Sequence, residues 1–413
     1  MDIYLVGGAV RDELLGLPVK ERDWVVVGGT PQQLADQGFR PVGKDFPVFL
    51  HPETGEEYAL ARTERKSGHG YGGFAFHTDP AITLEEDLIR RDLTINAMAR
   101  TADGQVIDPY NGRQDLKARI LRHVSPAFAE DPLRVLRVAR FAARYRCLGF
   151  QVAEETVELM TQIALSGELE HLPAERVWKE TSRALMERSP QAFFQTLHDC
   201  GALAELFPEL ANLDGVPQCP DHHPAVDVLT HQYRCLAQAA RQKLPLTPRF
   251  ALLCHDLGKA ETPPDGWPEH RGHERRSENL AREFAERLKV PKDLAEAGVT
   301  MARWQRRGQR ALTLRALEVW ELLRSLDVIR RPRRLKFFIS ACEVCARACA
   351  ADPKAPFPQG EFLHGAAEAV RQVDVAGLRK AGLAGPALGH ALDEKRIKTI
   401  REYKREFIEQ WRQ

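Results

Sequence analysis

The spacing of apolar residues changes once along the chain, near Asp131, and this change constrains the fold more than any other feature. Residues 2 to 62 contain the short apolar runs IYLVGG, WVVVGG, PVFLH and EYALAR, separated by Gly and Pro and interrupted by one helical stretch, VRDELLG. Apolar runs bounded by turn residues are typical of strands. From Asp131 onward the pattern is that of long amphipathic helices, beginning with LRVLRVARFAARY, and we expect no further strand. The sequence therefore predicts an α+β protein, with an α/β head followed by an all-α remainder.

The length of the chain predicts several domains, because 413 residues exceed what one hydrophobic core usually serves. Clusters of Pro and Gly near residues 210 to 222 and 351 to 360 mark boundaries within the helical part. We expect a head at residues 1–125, a helical neck and body at 126–215, a further helical domain at 216–350 and a helical tail at 351–413.

Composition indicates a folded globular protein, since 43% of the residues are hydrophobic and 28% are charged. The chain begins Met-Asp-Ile-Tyr, without a basic leader or a long apolar stretch, and its eight cysteines are scattered. We therefore expect a cytoplasmic protein that makes no contact with a membrane. Cys342, Cys345 and Cys349 share one stripe of a helix, and buried thiols are a better explanation than a metal site because no fourth ligand is near them in the sequence.

The chain has a basic segment at residues 303–336, although its net charge is only +1. Between Arg303 and Lys336 the sequence has eleven Arg and Lys residues against three acids, a local excess of eight. Such an excess indicates a phosphate-binding face. A solvated, salt-bridged helix surface is the commoner explanation for an isolated basic run. The polynucleotide interpretation therefore depends on evidence from other parts of the chain.

Two carboxylates, Glu21 and Asp23, stand at the start of the apolar run in ERDWVVVGG. The period of two of a strand predicts that both lie on one face. Mg²⁺ prefers a few hard oxygen ligands together with substrate phosphates, so this pair could hold metal ions against a triphosphate. Glu57, in GEEYALAR, is predicted to be a further strand carboxylate near the metals. An acidic strand start is by itself usually structural, so the surrounding motifs decide the interpretation.

A glycine turn lies upstream of this pair, where IYLV runs into Gly7-Gly8-Ala9-Val10-Arg11-Asp12 and then into a helix. Backbone N–H groups at a helix start, with an arginine beside them, form a phosphate-binding arrangement. No Gly-Lys-Ser/Thr follows the turn and no G-x-G-x-x-G is present, which argues against a kinase and against a dehydrogenase.

The ordered set GGAVRD, ERDWVVVG, RRDLTINAMA, DPYNGRQDL and EDPLRVLRVARFAARY resembles the class II CCA-adding tRNA nucleotidyltransferases and the related poly(A) polymerases of the polymerase β superfamily. The resemblance implies a nucleotidyltransferase head that holds Mg²⁺, a neck that reads the incoming base, and body and tail domains that hold tRNA, with ATP and CTP as substrates. One departure is visible: the D-x-D of the family appears as Glu21-x-Asp23, which keeps both carboxylates but adds one methylene.

The same resemblance assigns nucleotide contacts to five residues. Gly8 and Arg11 would contact the phosphates or the ribose, and Arg91, Arg137 and Arg140 would hold the triphosphate and the sugar. Arginine suits this task because its guanidinium group forms bidentate clamps on phosphate. The alternative for Arg137 and Arg140 is the polar face of a helix.

Asp131 and Arg134 lie at i, i+3 and are predicted to share a helix face, where both could reach one planar partner. Cytosine and adenine each present an exocyclic amino donor beside a ring-nitrogen acceptor. The resemblance assigns E-D-x-x-R the role of a protein template that accepts C and A. A salt bridge near a helix start is the alternative.

The segment ARTERKSGHGYGG, residues 61 to 73, is rich in Gly and charge and is predicted to be a mobile loop. The resemblance implies that this loop helps to switch from C addition to A addition.

A second group of residues comprises His231 and then His255-Asp256 in FALLCHDLGKA, with His273 further on. The pattern resembles the HD metal-dependent phosphohydrolases, so the domain at 216–350 is predicted to be an HD domain. His231, His255 and Asp256 would be its metal ligands, and His255 and Asp256 its catalytic residues. Imidazoles and a carboxylate suit Ni²⁺ or another divalent transition metal. The downstream stretch at 302–305 reads Ala-Arg-Trp-Gln, without a further histidine, so the complete ligand set stays open.

Three functions compete at this point. The first is a CCA-adding enzyme whose HD domain carries 2′,3′-cyclic phosphodiesterase, 2′-nucleotidase and phosphatase activity. The second is a poly(A) polymerase of the same superfamily, and the third is an HD-type phosphohydrolase or RNA-binding protein with an inactive head. The first is favoured. An inactive head is disfavoured because both carboxylates and the phosphate-side arginines are kept, and a poly(A) polymerase, which shares the head motifs, is disfavoured because its bacterial form usually carries a basic C-terminal extension, whereas this chain ends in the helical KREFIEQWRQ. Whether the chain also forms a homodimer is left open.

Overall fold

A computed structural model describes residues 1–42, 48–66, 74–218, 227–350, 354–380 and 382–411. The chain forms two compact units, Met1–Leu206 and Phe207–Gln413. The first unit contains a mixed α/β head, and the described part of the second is rich in helices. The finer division into four domains stays a prediction.

The strands of the first unit form one large sheet and two small pairs. The large sheet has the order β3-β4-β5-β2-β1-β8-β9, in which β2 and β5 are parallel and the other neighbours are antiparallel. The strands β6 and β7 form an antiparallel pair, and β10 and β11 form a parallel pair. In chain order the strands are β1 Asp2–Val6, β2 Asp23–Val27, β3 Arg40–Val42, β4 Val48–Leu50, β5 Glu57–Leu60, β6 Arg62–Lys66, β7 Phe74–Thr78, β8 Ala99–Arg100, β9 Val106–Ile107, β10 Ile120–Leu121 and β11 Gln151–Val152.

Both faces of the large sheet are buried, which explains the continuous apolar run in β2. Successive side chains of a strand point to opposite faces. Val25 packs with Val6 and Leu88 on one face, and Val26 packs with Leu34 on the other. The helices of this unit are α1 Gly8–Leu14, α2 Pro31–Asp36, α3 Leu84–Ile89, α4 Gly112–Ala118, α5 Leu133–Tyr145, α6 Glu154–Leu165, α7 Ala174–Met186, α8 Gln191–Asp199 and α9 Ala202–Leu206.

Two sequence predictions about this unit need correction. The expectation that no strand follows Asp131 is wrong, because β11 lies beyond it. A strand of two residues is too short to produce a recognisable alternation of apolar and polar positions. The predicted loop at residues 61 to 73 is wrong for Arg62–Lys66, which form β6, and residues 67–73 lie outside the described residues.

The second unit is built from helices that pack around buried apolar side chains. Asp227 caps the first long helix by accepting a hydrogen bond from the backbone N–H of Thr230. No described helix of the chain is long and apolar enough to cross a membrane. The helices are α10 Pro208–Ala211, α11 Val228–Arg241, α12 Leu246–Cys254, α13 His273–Arg287, α14 Lys292–Gln309, α15 Ala316–Ser325, α16 Pro332–Cys349, α17 Pro358–Arg371, α18 Val375–Lys380 and α19 Gly385–Trp411.

Candidate functional site

The register of the large sheet places Asp23 beside the glycine turn. Val6 is the antiparallel partner of Asp23, and the chain turns through Gly7 and Gly8 directly after Val6. On the other side of Asp23, the parallel partner in β5 is Glu57. The prediction that Glu57 lies on a strand is confirmed, while its role near a metal stays a prediction. The adjacent ends of β1, β2 and β5 therefore bring Asp23 and Glu57 close to the turn that begins α1.

Glu21 precedes β2 and does not lie on it. The predicted shared strand face is wrong in this detail, because β2 begins only at Asp23. The two carboxylates still interact. Partial burial raises the pKa of Asp23, the positive charge of Arg91 lowers it, and the negative charge of Glu21 raises it further, so that the pKa is above its usual value. A carboxylate whose charge is destabilised in this way is stabilised by a bound cation, so the pair fits a hard divalent ion such as Mg²⁺.

Arg91 lies against the glycine turn. Gly7 has a φ of 68°, and a Cβ at this position would lie 2.9 Å from Nη1 of Arg91, so glycine is required both by its backbone conformation and by this close approach. Nη2 of Arg91 donates to Asp87 at 3.1 Å, while its buried Nε has no hydrogen-bond partner among the described residues. Asp87 therefore holds the guanidinium group against the turn, where its positive charge acts on Asp23.

Arg11 is buried and held by its neighbours. Its Nε donates to Asp12 at 2.9 Å and its Nη1 donates to Asn96, while the guanidinium carbon lies 5.3 Å and 5.2 Å from the ring centres of Phe141 and Tyr145. Asp12 also accepts hydrogen bonds from α5, at 2.8 Å from Arg144 and 2.9 Å from Tyr145. The GGAVRD motif therefore ties α1 to α5, and the predicted nucleotide contact of Arg11 stays a prediction.

Arg137 and Arg140 project from α5 and are each paired with a buried carboxylate. Nε and Nη2 of Arg137 both lie 2.8 Å from Oδ2 of Asp92, and Nε of Arg140 donates to Glu180 at 2.6 Å. The side chain of Arg137 remains 36% exposed, whereas that of Arg140 is 9% exposed. Of the two, Arg137 is more accessible to a ligand.

Asp131 and Arg134 do not share a helix face, which corrects the sequence prediction. Helix α5 begins at Leu133, and Asp131 has an extended backbone before it. The reason is Pro132, because a residue that precedes proline is disfavoured in the helical region. Oδ1 of Asp131 instead accepts a hydrogen bond from the backbone N–H of Leu133 at 3.1 Å.

The side chains of this pair have separate partners in the described structure. Asp131 forms an ion pair with Arg176 of α7 at 3.4 Å. Arg134 donates from Nη1 to the carbonyl of Ala127 at 2.6 Å and from Nη2 to the carbonyl of Arg90 at 2.7 Å. Their predicted role in base choice therefore requires a change in these hydrogen bonds.

In the second unit, the structure brings together the three predicted ligands of the HD site. His231 lies on α11, and His255 and Asp256 follow α12 directly. Nε2 of His255 lies 3.4 Å from Nε2 of His231 and 3.0 Å from Oδ2 of Asp256. Nζ of Lys259 also lies 3.0 Å from that carboxylate oxygen. All three predicted ligands are buried, with 2%, 1% and 3% of their surfaces exposed.

Burial and charge act in opposite directions within this cluster. Burial lowers the pKa of His231 below its usual value. Burial also opposes protonation of His255, but the negative charges of Asp256 and Cys345, with their hydrogen bonds, together outweigh it and raise the pKa of His255 well above its usual range. Asp256 is stabilised as a carboxylate against the effect of burial by His255 and Lys259, which hold its pKa well below its usual range. The cluster therefore contains buried groups of opposite charge that stabilise one another.

Two cysteines complete a group that the sequence prediction missed. The ligand atoms of His231, Cys235, His255 and Cys345 all lie within 4.8 Å of one another. The expectation that Cys345 has no fourth ligand near it is wrong, because packing of α16 with α11 and α12 brings residues distant in sequence to its thiol. The i, i+4 spacing of His231 and Cys235 is the signal that could have indicated a shared site.

The basic segment is largely paired with acids from neighbouring helices. Arg303 lies 3.6 Å from Glu278, and Arg306 lies 3.3 Å from Glu274, both on α13. Arg307 lies 2.8 Å from Glu321. These contacts favour the salt-bridged surface, although exposed ion pairs are weak enough to be exchanged for phosphate contacts.

Comparison with known proteins supports the assignment of the head and of the fold. Residues 3–122 match the family described as Poly A polymerase head domain, and residues 149–213 match the family described as Probable RNA and SrmB- binding site of polymerase A. The CCA-adding enzyme of Bacillus stearothermophilus, solved in complex with CTP, is 25% identical with a TM-score of 0.65, and the match covers 100% of this chain and 93% of that one. The Thermotoga maritima CCA-adding enzyme, complexed with tRNA, shares the fold at 20% identity and a TM-score of 0.58, over 99% of this chain and 91% of that one.

Closer relatives cover nearly the whole chain. The multifunctional CCA protein of Alcanivorax borkumensis is 63% identical over 406 residues, which are 98% of this chain and 99% of that protein. The multifunctional CCA protein of Pseudomonas fluorescens is 58% identical over 404 residues, again 98% of this chain and 99% of that protein. With identity this high over nearly its full length, the chain belongs to the family of multifunctional CCA proteins.

Proposed function

We propose that this protein adds C, C and A to the 3′ end of tRNA from CTP and ATP, without a nucleic acid template. The observation that carries the proposal is the pairing of Val6 with Asp23, which brings the glycine turn next to a carboxylate, with Arg91 against the same turn. Relatives named for CCA and a fold shared with a CTP-bound CCA-adding enzyme support it.

Each part of the first unit has a task in this proposal. Glu21 and Asp23 hold Mg²⁺, which when bound neutralises the triphosphate and activates the terminal hydroxyl of the RNA. The triphosphate and sugar are bound on the opposite side by fixed cations and by the glycine turn. The residues assigned to that side are Gly8, Arg11, Arg91, Arg137 and Arg140.

Base selection is assigned to Asp131 and Arg134. A carboxylate accepts from the amino group of cytosine or adenine, and a guanidinium group donates to the adjacent ring nitrogen, whereas uracil and guanine present the inverse pattern. Binding of the base then replaces at least one of the bonds that Arg134 makes to the carbonyls of Ala127 and Arg90. Both C and A are accepted because the two bases share this donor and acceptor pattern.

A triphosphate panel separates this function from that of a poly(A) polymerase. The protein is incubated with tRNA that lacks its three terminal nucleotides, each triphosphate is supplied alone and together with the others, and the products are sequenced. We expect addition to end at CCA when CTP and ATP are both present. A long run of A with ATP alone would instead favour the poly(A) polymerase, and no addition at all would favour an inactive head.

A metal-dependent phosphohydrolase is the second candidate function, in an HD domain at residues 216–350. It is supported by the convergence of His231, His255 and Asp256, whose nitrogen and oxygen atoms suit Ni²⁺ or another divalent transition metal. Such an ion supplies an activated water for attack on a phosphodiester. The test measures release of phosphate from 2′,3′-cyclic nucleotides, 2′-nucleotides and a general phosphatase substrate, with a panel of metals.

The remaining assignments are part of the same proposal. The head comprises residues 1–125, the neck and body 126–215 and the tail 351–413. Limited proteolysis measures whether cleavage falls at these boundaries, and analytical ultracentrifugation measures whether the chain forms a homodimer.

A further inference from the structure

Four buried side chains from three helices form a compact group of nitrogen and sulfur atoms. His231 and Cys235 lie one turn apart on α11, His255 follows α12, and Cys345 lies on α16. Every pair among their ligand atoms is within 4.8 Å, and all four residues are buried. Imidazole and thiol groups gathered in this way have the composition of a Cys₂His₂ metal site.

Two of the six separations between ligand atoms are close to those of tetrahedral coordination. With metal–nitrogen bonds of about 2.0–2.1 Å and metal–sulfur bonds of about 2.3 Å, two nitrogens lie about 3.3 Å apart and a nitrogen lies about 3.5 Å from a sulfur. Nε2 of His231 lies 3.4 Å from Nε2 of His255 and 3.5 Å from Sγ of Cys235. His231, His255 and Cys235 are therefore spaced for one ion, and Cys345 lies within 4.8 Å of each of them.

The orientation of His255 is fixed from outside the group. Its Nδ1–H donates to the backbone carbonyl of Leu252 at 2.7 Å, so that Nε2 is the ring nitrogen that faces His231 and would bind an ion once it is deprotonated. A carbonyl that accepts from the outer nitrogen is the usual support of a metal-binding histidine. Asp256, held by Lys259 at 3.0 Å, lies beside Nε2 of His255 as a neighbouring carboxylate.

We propose that His231, Cys235, His255 and Cys345 bind one soft or borderline divalent ion, of the Zn²⁺ class, in tetrahedral coordination. Binding displaces the protons that the thiol and imidazole groups carry, which pass to solvent, and leaves two thiolates and two neutral imidazoles as ligands. Two thiolates select such an ion over Mg²⁺, which prefers oxygen ligands. The inference rests on the second candidate function in placing an ion between His231 and His255. It differs in the remaining ligands, which are Cys235 and Cys345, with Asp256 beside them. An ion with four protein ligands hydrolyses a phosphodiester only by accepting water as a fifth ligand.

The experiment measures metal–sulfur bonds in the full chain. Purified protein is analysed for metal content, then stripped and reloaded with Zn²⁺ or with Co²⁺, and metal–sulfur distances are measured by X-ray absorption. We expect one ion per chain, bonded to two sulfurs, and a near-ultraviolet thiolate-to-cobalt absorption band in the Co²⁺ form. C235S and C345S should each weaken the band and lower the affinity for the ion by about tenfold or more. C342S, on the same stripe of α16 but outside the group, should leave both unchanged.

Two results would overturn the proposal. One is an ion bonded only to nitrogen and oxygen, with an affinity that C235S and C345S do not change. The other is a chain that binds no ion and in which mass spectrometry finds Cys235 and Cys345 joined as a disulfide. X-ray absorption on the unaltered protein decides the matter even where a variant fails to fold. Phosphohydrolase activity is assayed separately, so loss of that function does not affect the sulfur measurement.

Discussion

Nε and Nη2 of Arg137 both lie 2.8 Å from Oδ2 of Asp92, and this contact joins the RRD motif to α5. Asp92 also accepts hydrogen bonds from the side chain of Asn96 and from the backbone N–H of Leu93, each at 2.9 Å. The buried carboxylate of Asp92 therefore positions Arg137, which is predicted to bind the triphosphate.

The first prediction concerns the stability of this contact. Burial opposes the charge of Asp92, but Arg137 and the hydrogen bonds outweigh it and hold the pKa well below its usual range. Because the folded-state pKa is below the unfolded value of about 3.9, the stabilisation is present above about pH 4 and is lost as the pH falls toward the folded-state pKa. D92N should lower the free energy of unfolding by about 2–3 kcal/mol at pH 7.

Urea denaturation across pH measures this effect. The difference between D92N and the unaltered protein should narrow below about pH 4. D36N, which changes an exposed acid of α2, should alter the stability little at any pH. A constant difference at all pH values would show that the charge of Asp92 is not what stabilises the fold.

The second prediction concerns base choice. D131N and R134K should raise incorporation of U and G relative to C and A, because each removes part of the donor and acceptor pattern that selects the base. E154Q, at the exposed first turn of α6, serves as the control. Misincorporation kinetics measure the ratio. If the overall rate falls while U and G stay excluded, the pair has a structural role only.

The third prediction concerns the basic segment of the second unit. The affinity for tRNA should fall on replacement by Ala of Arg303, Arg306, Arg307 and Arg310. Each lost phosphate contact should also reduce the slope of log affinity against log salt concentration by about one unit or less. The matched control is R282A, because Arg282 is an exposed arginine of α13 that also pairs with a glutamate. An unchanged slope in the variants would leave these arginines as a salt-bridged surface.

The fourth prediction is that the two activities separate. The carboxylates lie in the first unit and the HD residues lie in the second, and no described ligand is shared. H255A should abolish phosphohydrolase activity and leave CCA addition largely intact, and D23A should do the reverse. Assays of both variants with Mg²⁺ and with Ni²⁺ measure the separation. Equal loss of both activities in a folded H255A protein would contradict the two-site account.

The parts of the site that could be predicted from sequence are those set by local pattern. The strand at Trp24 to Val27 could be recognised from its uninterrupted apolar run, which is expected of a strand that is buried on both faces. The turn at Gly7 could be recognised because its backbone conformation favours glycine. The convergence of His231 with His255 and Asp256 followed from a motif whose spacing suits neighbouring helices.

What could not be predicted depends on local backbone limits and on tertiary packing. Pro132 keeps Asp131 out of α5, so an i, i+3 spacing did not produce a shared face. Cys345 lies near the histidines because α16 packs against α11 and α12. The spacing of these residues along the sequence does not indicate that contact.

The most direct test of the central claim is CCA addition by D23N. Removal of one metal-binding carboxylate should lower the rate of addition to tRNA lacking its terminal nucleotides by about 10³-fold or more, because the metal supplies several kcal/mol of transition-state stabilisation. Affinity for tRNA should be unchanged, and D36N should add CCA at the normal rate. Sequencing of the 3′ ends with CTP and ATP present gives the result. Addition by folded D23N at a rate close to that of the unaltered protein would contradict the account, since the site around Asp23 would not then perform the transfer.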